Sequence, residues 1–97
     1  MLITREVYAN ALVEALLGWL ENPTNINRWL KAATLFEELK PYYKKPTYSR
    51  PYSVRSLGIH LGFNSDRLYK LFGMEKRVLR GEMLYRFTHK NNPTETI

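Results

Sequence analysis

The sequence has no cysteine, and its 97 residues include one aspartate, Asp66, and two histidines, His60 and His89. Without cysteine there is no disulfide bond, thiolate zinc site or thiol nucleophile, and packing alone must hold the chain together. No Cys/His spacing suits zinc, no glycine-rich loop suits a nucleotide, and no serine stands next to a plausible base. We therefore expect no enzymatic activity, no metal, no cofactor and no small-molecule substrate.

Long apolar runs are absent as well. No stretch approaches the ~18–20 residues needed to span a bilayer. The first six residues, Met1 to Glu6, lack the basic region and the small-residue cleavage site of a signal peptide. We expect a cytoplasmic protein that does not enter a membrane, and its length suits one hydrophobic core in a single domain.

Positive charge is present in excess but is unevenly distributed. The net charge is +6; residues 1–40 carry four basic and five acidic side chains, whereas residues 41–97 carry eleven basic and four acidic ones. An excess confined to one half of a chain indicates a polyanionic partner. The alternative is a solvated basic surface that keeps the protein soluble.

The N-terminal part has helical periodicity. Apolar residues recur at steps of three and four from Val7 to Leu20, which predicts a helix that ends before Pro23. A second helix is predicted from about residue 24 or 25 to Lys40. A short turn would make the two helices antiparallel, with Trp19 and Trp29 anchoring their contact.

Residues 41–52 combine three prolines, four tyrosines and three basic side chains, Lys44, Lys45 and Arg50, without helical or alternating periodicity. This composition predicts a stiff linker. Its cations could form an arm along a DNA backbone or in a minor groove. Alternatively, the tyrosine rings pack the linker onto the helical pair.

The most informative stretch runs from residue 53 to residue 73, in which Ser53 is placed to cap a short helix that ends at about Leu61. Gly58 would let two short helices approach closely, and Gly62 would supply a positive φ where the chain reverses. Ser65 is placed to cap the second helix, over 65–72, and Gly73 to close it. The two helices would share a small core of Leu57, Leu61, Phe63, Leu68 and Leu71.

This stretch resembles the helix-turn-helix superfamily of DNA-binding proteins. Within it, Leu-Gly-Phe-Asn-Ser-Asp-Arg-Leu-Tyr-Lys-Leu-Phe (61–72) is similar to AraC-type regulators. The lead-in Arg-Pro-Tyr-Ser-Val-Arg-Ser-Leu-Gly (50–58) is similar to the DNA-binding part of small phage terminase subunits. The resemblance implies that helix 65–72 enters the major groove of double-stranded DNA.

Candidate DNA contacts lie at the start of this recognition helix and just before it. Arg67 suits guanine, Asn64 suits adenine, and Lys70 suits guanine or a phosphate. Asp66 has an alternative role as an acid favoured by the helix dipole. Arg55 could pair with a phosphate or remain solvated. The full set is Asn64, Ser65, Asp66, Arg67, Tyr69, Lys70 and Arg55, with Lys44, Lys45 and Arg50 from the linker.

After Gly73, a last amphipathic helix is predicted over 74–88, and residues 91–97 are predicted to form a flexible tail. The expected fold is therefore all-α, with residues 1–90 forming one domain that consists of a helical hairpin, a linker, a helix-turn-helix and a C-terminal helix.

The expected function is sequence-specific binding of double-stranded DNA by a regulator of phage, plasmid or prokaryotic type. A homodimer is expected because one short recognition helix buries little surface. Two alternatives are a phage DNA-packaging protein like a small terminase subunit, and a protein–protein docking module such as an inhibitor of a host protein.

Overall fold

The computed structural model describes residues 5–43 and 53–90, and only the backbone over 5–9. In these ranges the α-helices are α1 (Arg5–Trp19), α2 (Ala32–Leu39), α3 (Val54–Phe63) and α4 (Ser65–Phe72). The strands are β1 (Leu30–Lys31), β2 (Glu75–Leu79) and β3 (Glu82–Arg86). Two 3-10 turns lie at Pro23–Asn25 and Lys40–Tyr42.

The expectation of an all-α fold is wrong, because the segment after Gly73 forms a β-hairpin and not a helix. Arg80 and Gly81 have φ values of 54° and 82°. Two successive residues with positive φ make a type I′ turn, whose twist matches that of a two-residue hairpin. The strands β2 and β3 pair in an antiparallel manner on either side of this turn, with Val78 opposite Met83.

The hairpin and β1 together form a three-stranded antiparallel sheet of order β1-β3-β2. Leu30 lies opposite Tyr85, and both side chains are buried. Val78, Leu79 and Met83, which a C-terminal helix would have turned inward, are exposed. All five residues of β2 are exposed, and Tyr85 is the buried residue of β3, so the hairpin meets the core through β3.

Helix α1 forms as predicted, but the predicted second helix is interrupted. The inner stripe of α1 is buried: Ala11, Leu12, Ala15, Leu16, Trp19 and Leu20. Beyond it, Asn27 has a φ of 66°, and its N–H donates to the Phe87 carbonyl (2.8 Å). This bond and the pairing of β1 with β3 draw the chain to the sheet, so that α2 begins only at Ala32.

One buried cluster joins the helices to the inner face of the sheet. The ring of Phe87, just after β3, meets Trp19 edge-on at 6.0 Å and Phe72 of α4 edge-on at 6.4 Å. Trp19 therefore anchors the core, whereas Trp29 does not lie between two helices as predicted and instead contacts Arg77 and Arg86 of the sheet.

The two alternatives for the linker are tested only at its start. Tyr42 and Tyr43 are half-buried and pack against the core, which agrees with packing at these two positions. Lys44, Lys45, Arg50 and the tail 91–97 lie outside the described residues.

Among the helices of residues 5–43 and 53–90, none combines the length and the apolar character that a membrane span requires.

Candidate nucleic-acid interface

Helix α4 has its predicted bounds, and α3 begins after Ser53 as predicted, but α3 runs to Phe63 and does not end near Leu61. The Ser53 hydroxyl accepts a hydrogen bond from the Ser56 N–H (3.0 Å) and caps α3. A single residue, Asn64, separates the helices, and its side-chain amide donates to the His60 carbonyl (2.8 Å). Ser65 was predicted to cap α4, but it is the first residue of α4 and Asn64 holds the cap position without a side-chain cap.

The glycines predicted to shape this turn do not shape it. A methyl group at Gly58 or Gly62 would meet nothing within 4 Å. Gly62 also lacks the predicted positive φ. Both glycines lie within α3, and the chain reverses after them, at Asn64. The turn thus depends on Asn64, whose side chain satisfies a carbonyl at the end of α3.

Gly73 fixes the other end of α4. It adopts a left-handed conformation (φ 62°), and its N–H donates to the Tyr69 carbonyl (2.8 Å), as in a glycine C-cap. A Cβ at this position would collide with the hydroxyl of Thr88, which donates to the Gly73 carbonyl (3.2 Å). The segment after β3 therefore fastens α4 to the sheet.

Helix α4 has a buried side and an exposed side. Leu68 and Phe72 are fully buried. The exposed residues are Asp66, Arg67, Tyr69 and Lys70, and Tyr69 is 64% exposed. Asn64 and Ser65 are half-buried. Phe63 was predicted to join the shared core, but it is 60% exposed; Phe72 takes the core position.

The polar partners of these side chains differ. Arg67 Nη1 donates to Asn10 Oδ1 (3.2 Å), which directs its guanidinium toward the N-terminal half of α1. Lys70 and Arg55 are exposed, and neither has a carboxylate within salt-bridge distance among the described residues. Asp66 lies in the first turn of α4, where the helix dipole favours an acid.

The hairpin adds cations to this region, in a segment for which the sequence predicts a helix. Lys76, Arg77 and Arg80 are exposed on β2 and the turn, three to seven residues beyond Gly73. The sequence carries a weak signal for the hairpin, since Gly81 suits a two-residue turn and each five-residue run beside Arg80-Gly81 holds one strong strand former, Val78 or Tyr85. The apolar residues of the two runs also recur at helical steps, which favours a helix in the sequence.

The cations that lack a carboxylate partner lie close together in the sequence. Among the described residues, the cations with a carboxylate partner are Arg28, Lys31, Lys40, Arg86 and Lys90. The described cations without one are Arg55, Arg67, Lys70, Lys76, Arg77 and Arg80. All six lie between the first turn of α3 and the turn of the hairpin, so uncompensated positive charge is concentrated in this region.

Other chemistry has little support in this region. Burial lowers the pKa of His60, so the imidazole is neutral at pH 7 and adds no charge. In the described ranges, no group of three or more His, Cys, Asp or Glu could hold a metal ion. Comparison of the chain with protein-family models, curated proteins and solved structures gives no match.

Proposed function

We propose that this protein binds double-stranded DNA with α4 in the major groove. The observation that carries the proposal is the division of α4 into two sides. Leu68 and Phe72 hold the helix on the core. The four residues that flank Leu68 face outward: Asp66, Arg67, Tyr69 and Lys70. Reading base edges requires outward side chains on a rigid element, and this arrangement meets that requirement.

The side chains of this surface suit different contacts. Arg67 is the candidate for guanine, because a guanidinium can donate to both acceptors on the major-groove edge of that base. Lys70 and the Tyr69 hydroxyl suit phosphates or base edges. Asn64 is half-buried and its amide donates to the His60 carbonyl, so we assign it to holding the turn and not to reading adenine.

The hairpin would act as a wing, that is, a β-hairpin that lies along the DNA backbone beside the recognition helix. Lys76 and Arg80 support this role because they are exposed and have no carboxylate partner among the described residues. Phosphate contacts of this kind fix the orientation of a protein on the duplex without reading sequence.

A regulatory role would call for two copies. Helix α4 has eight residues and is therefore about 12 Å long, which spans only a few base pairs. A homodimer on two half-sites ~34 Å apart would add the missing specificity. A ring of eight or more subunits would instead favour a packaging protein. Light scattering of the free protein and of its DNA complex distinguishes the two.

The experiment is a titration of random-sequence duplex DNA at about 50 mM and about 200 mM salt. If six cations contact phosphates, affinity should fall by roughly 10³-fold between these concentrations. Arg67→Ala with Lys70→Ala should weaken binding strongly and abolish discrimination between sequences selected from a random pool and unselected ones.

The matched control is Lys40→Ala with Lys90→Ala. It removes the same charge from cations that already have carboxylate partners, Glu37 and Glu21. We expect a small effect from this control. No binding at the lower salt, or equal losses in the two double variants, would overturn the proposal and leave a protein–protein docking module as the better explanation.

A further inference from the structure

The sheet has an outer face that the core does not use. Because Leu30 and Tyr85 point into the core, their neighbours Lys31, Leu84 and Arg86 lie on the opposite face. Across the ladder, Leu84 is opposite Arg77, which places Arg77 on the same outer face. The inner face packs on the cluster that includes Phe72 of α4, so the outer face points away from that cluster.

Trp29 is held on this outer face by two guanidinium groups. The Arg77 guanidinium carbon lies 4.5 Å from the indole ring centroid, and that of Arg86 lies 4.7 Å from it. Arg86 Nε donates to the Glu75 carboxylate (2.9 Å), which fixes Arg86 in place. Arg77 is exposed and has no carboxylate partner in the described residues, so its contact with the ring leaves its charge available to a ligand.

An open depression continues the face toward the hairpin turn. Its volume is about 250 Å³, and it is lined by Lys31, Leu79, Arg80, Glu82 and Leu84. Sites for small molecules usually measure about 300–1,000 Å³, so this depression suits a fragment of a larger ligand. The Lys31 ammonium lies 3.1 Å from the Glu82 carboxylate. Arg80 is the cation at this end that has no carboxylate partner within residues 5–43 and 53–90.

We propose that this outer face, defined by Trp29, Lys31, Arg77, Arg80 and Leu84 and called here the Trp29 face, binds single-stranded nucleic acid. A base stacks on the Trp29–Arg77 pair, and the neighbouring phosphates contact Arg77 and Arg80. Surfaces that bind single strands combine aromatic or guanidinium planes for stacking with cations that follow the backbone.

The charge balance supports a polyanionic ligand. The outer face carries four cations, Lys31, Arg77, Arg80 and Arg86, against two carboxylates, Glu75 and Glu82, which are already paired. The inference goes beyond duplex binding by α4 and does not require it. If both surfaces act, the protein would prefer a junction between duplex and single strand.

The test uses the position of the two tryptophans. Trp19 is buried at 1% exposure, whereas Trp29 is half-buried on the outer face. A dT15 oligonucleotide at about 50 mM salt should therefore quench the fluorescence of Trp29 and not that of Trp19. The quenching should disappear in Trp29→Phe, in which Trp19 is the remaining fluorophore.

Affinity is measured separately by anisotropy of labelled dT15. Trp29→Ala should weaken binding about tenfold, the loss of one stacked base. An abasic 15-mer of equal charge should bind the wild type about as weakly as dT15 binds that variant. Arg77→Gln with Arg80→Asn should also weaken dT15 binding, and Asn suits the positive φ of residue 80.

The matched control is Arg67→Gln with Lys70→Gln, which should impair duplex binding and leave the dT15 affinity unchanged. Circular dichroism checks that each variant is folded; if Trp29→Ala is not, the Trp29→Phe fluorescence and the Arg77/Arg80 variant decide. Quenching that persists in Trp29→Phe, equal binding of abasic and dT15 strands, or no dT15 binding would overturn the inference. Loss of duplex binding alone would contradict the proposed function and leave this inference standing.

Discussion

Arg28 and Glu38 form a two-pronged ion pair that joins the segment before β1 to α2. The two guanidinium nitrogens donate to the two carboxylate oxygens at 3.0 Å and 3.1 Å. The same carboxylate accepts a hydrogen bond from Trp19 Nε1 (3.1 Å), and Arg28 also donates to Asn25 Oδ1 (2.7 Å). The Asn25 amide in turn donates to the Trp19 carbonyl (2.8 Å). One carboxylate therefore connects α1, the 3-10 turn and α2.

Replacing Glu38 by Gln should lower the free energy of unfolding by about 1–2 kcal/mol. The amide cannot accept both guanidinium bonds and the indole bond, while partial exposure of the pair limits the loss. Glu37→Gln is the matched control, since its ion pair with Lys40 is exposed and should contribute below about 0.5 kcal/mol. Urea unfolding measures both; equal effects would mean that the network adds no stability.

The same carboxylate predicts a loss of stability in acid. Hydrogen bonding from Arg28 lowers the pKa of Glu38 below 4.5, its value in the unfolded chain. The stabilisation is therefore fully present above pH 4.5 and is lost as the pH falls through the lower, folded value. Urea unfolding between pH 3 and pH 6 should show this loss in the wild type and not in Glu38→Gln. Parallel pH profiles would contradict the prediction.

His60 predicts a separate pH dependence at higher pH. Burial lowers its pKa below 6.5, so the unfolded chain binds a proton at a pH at which the folded protein does not. Stability should therefore decrease as the pH falls below about 6.5 and should level off below the folded value. His60→Gln should remove this step, whereas His89→Gln, at an exposed position, should keep it. A step that survives in His60→Gln belongs to another group.

Two glycines of the α3–α4 segment, Gly58 and Gly73, predict effects of opposite sign. Gly58 lies within α3 with open space around it, so Gly58→Ala should raise the free energy of unfolding by roughly 0.5–1 kcal/mol. Gly73→Ala should lower the free energy of unfolding by about 1–3 kcal/mol. Alanine is strained in the left-handed conformation of residue 73, and its Cβ would collide with Thr88. Thermal unfolding compares them. If Gly58→Ala destabilises the protein, the result would support the sequence-based prediction that Gly58 lets α3 and α4 approach closely.

The sequence predicts those elements whose signals are local. Helices α1, α3 and α4 follow from apolar spacing, Ser53 and Gly73, and the outward side of α4 follows from assigning Leu68 to the core. Strand β1 could not be predicted, because two residues carry no periodicity and their pairing with Tyr85 and Leu84 of β3 decides their conformation.

The same reason explains the missed part of the candidate site. Val78, Leu79, Met83, Leu84 and Phe87 fit a helical stripe as well as two strands, and only the Arg80-Gly81 turn distinguishes the two. The place of Trp29 beside Arg77 depends on strand order. These two residues are 48 positions apart in the chain, and they meet because β3 pairs with both β1 and β2.

The contribution of the hairpin to duplex binding can be separated from that of α4 by salt dependence. Each phosphate contact contributes about −0.9 to the slope of log K against log salt concentration. Lys76→Gln with Arg80→Asn should therefore reduce the magnitude of the slope by about 2 and weaken binding to all duplexes alike. Arg67→Ala alone should instead reduce discrimination between sequences. Lys40→Ala with Lys90→Ala removes the same charge outside the proposed duplex surface. A slope change as large in that variant would show that general electrostatics, and not contact by the hairpin, sets the dependence.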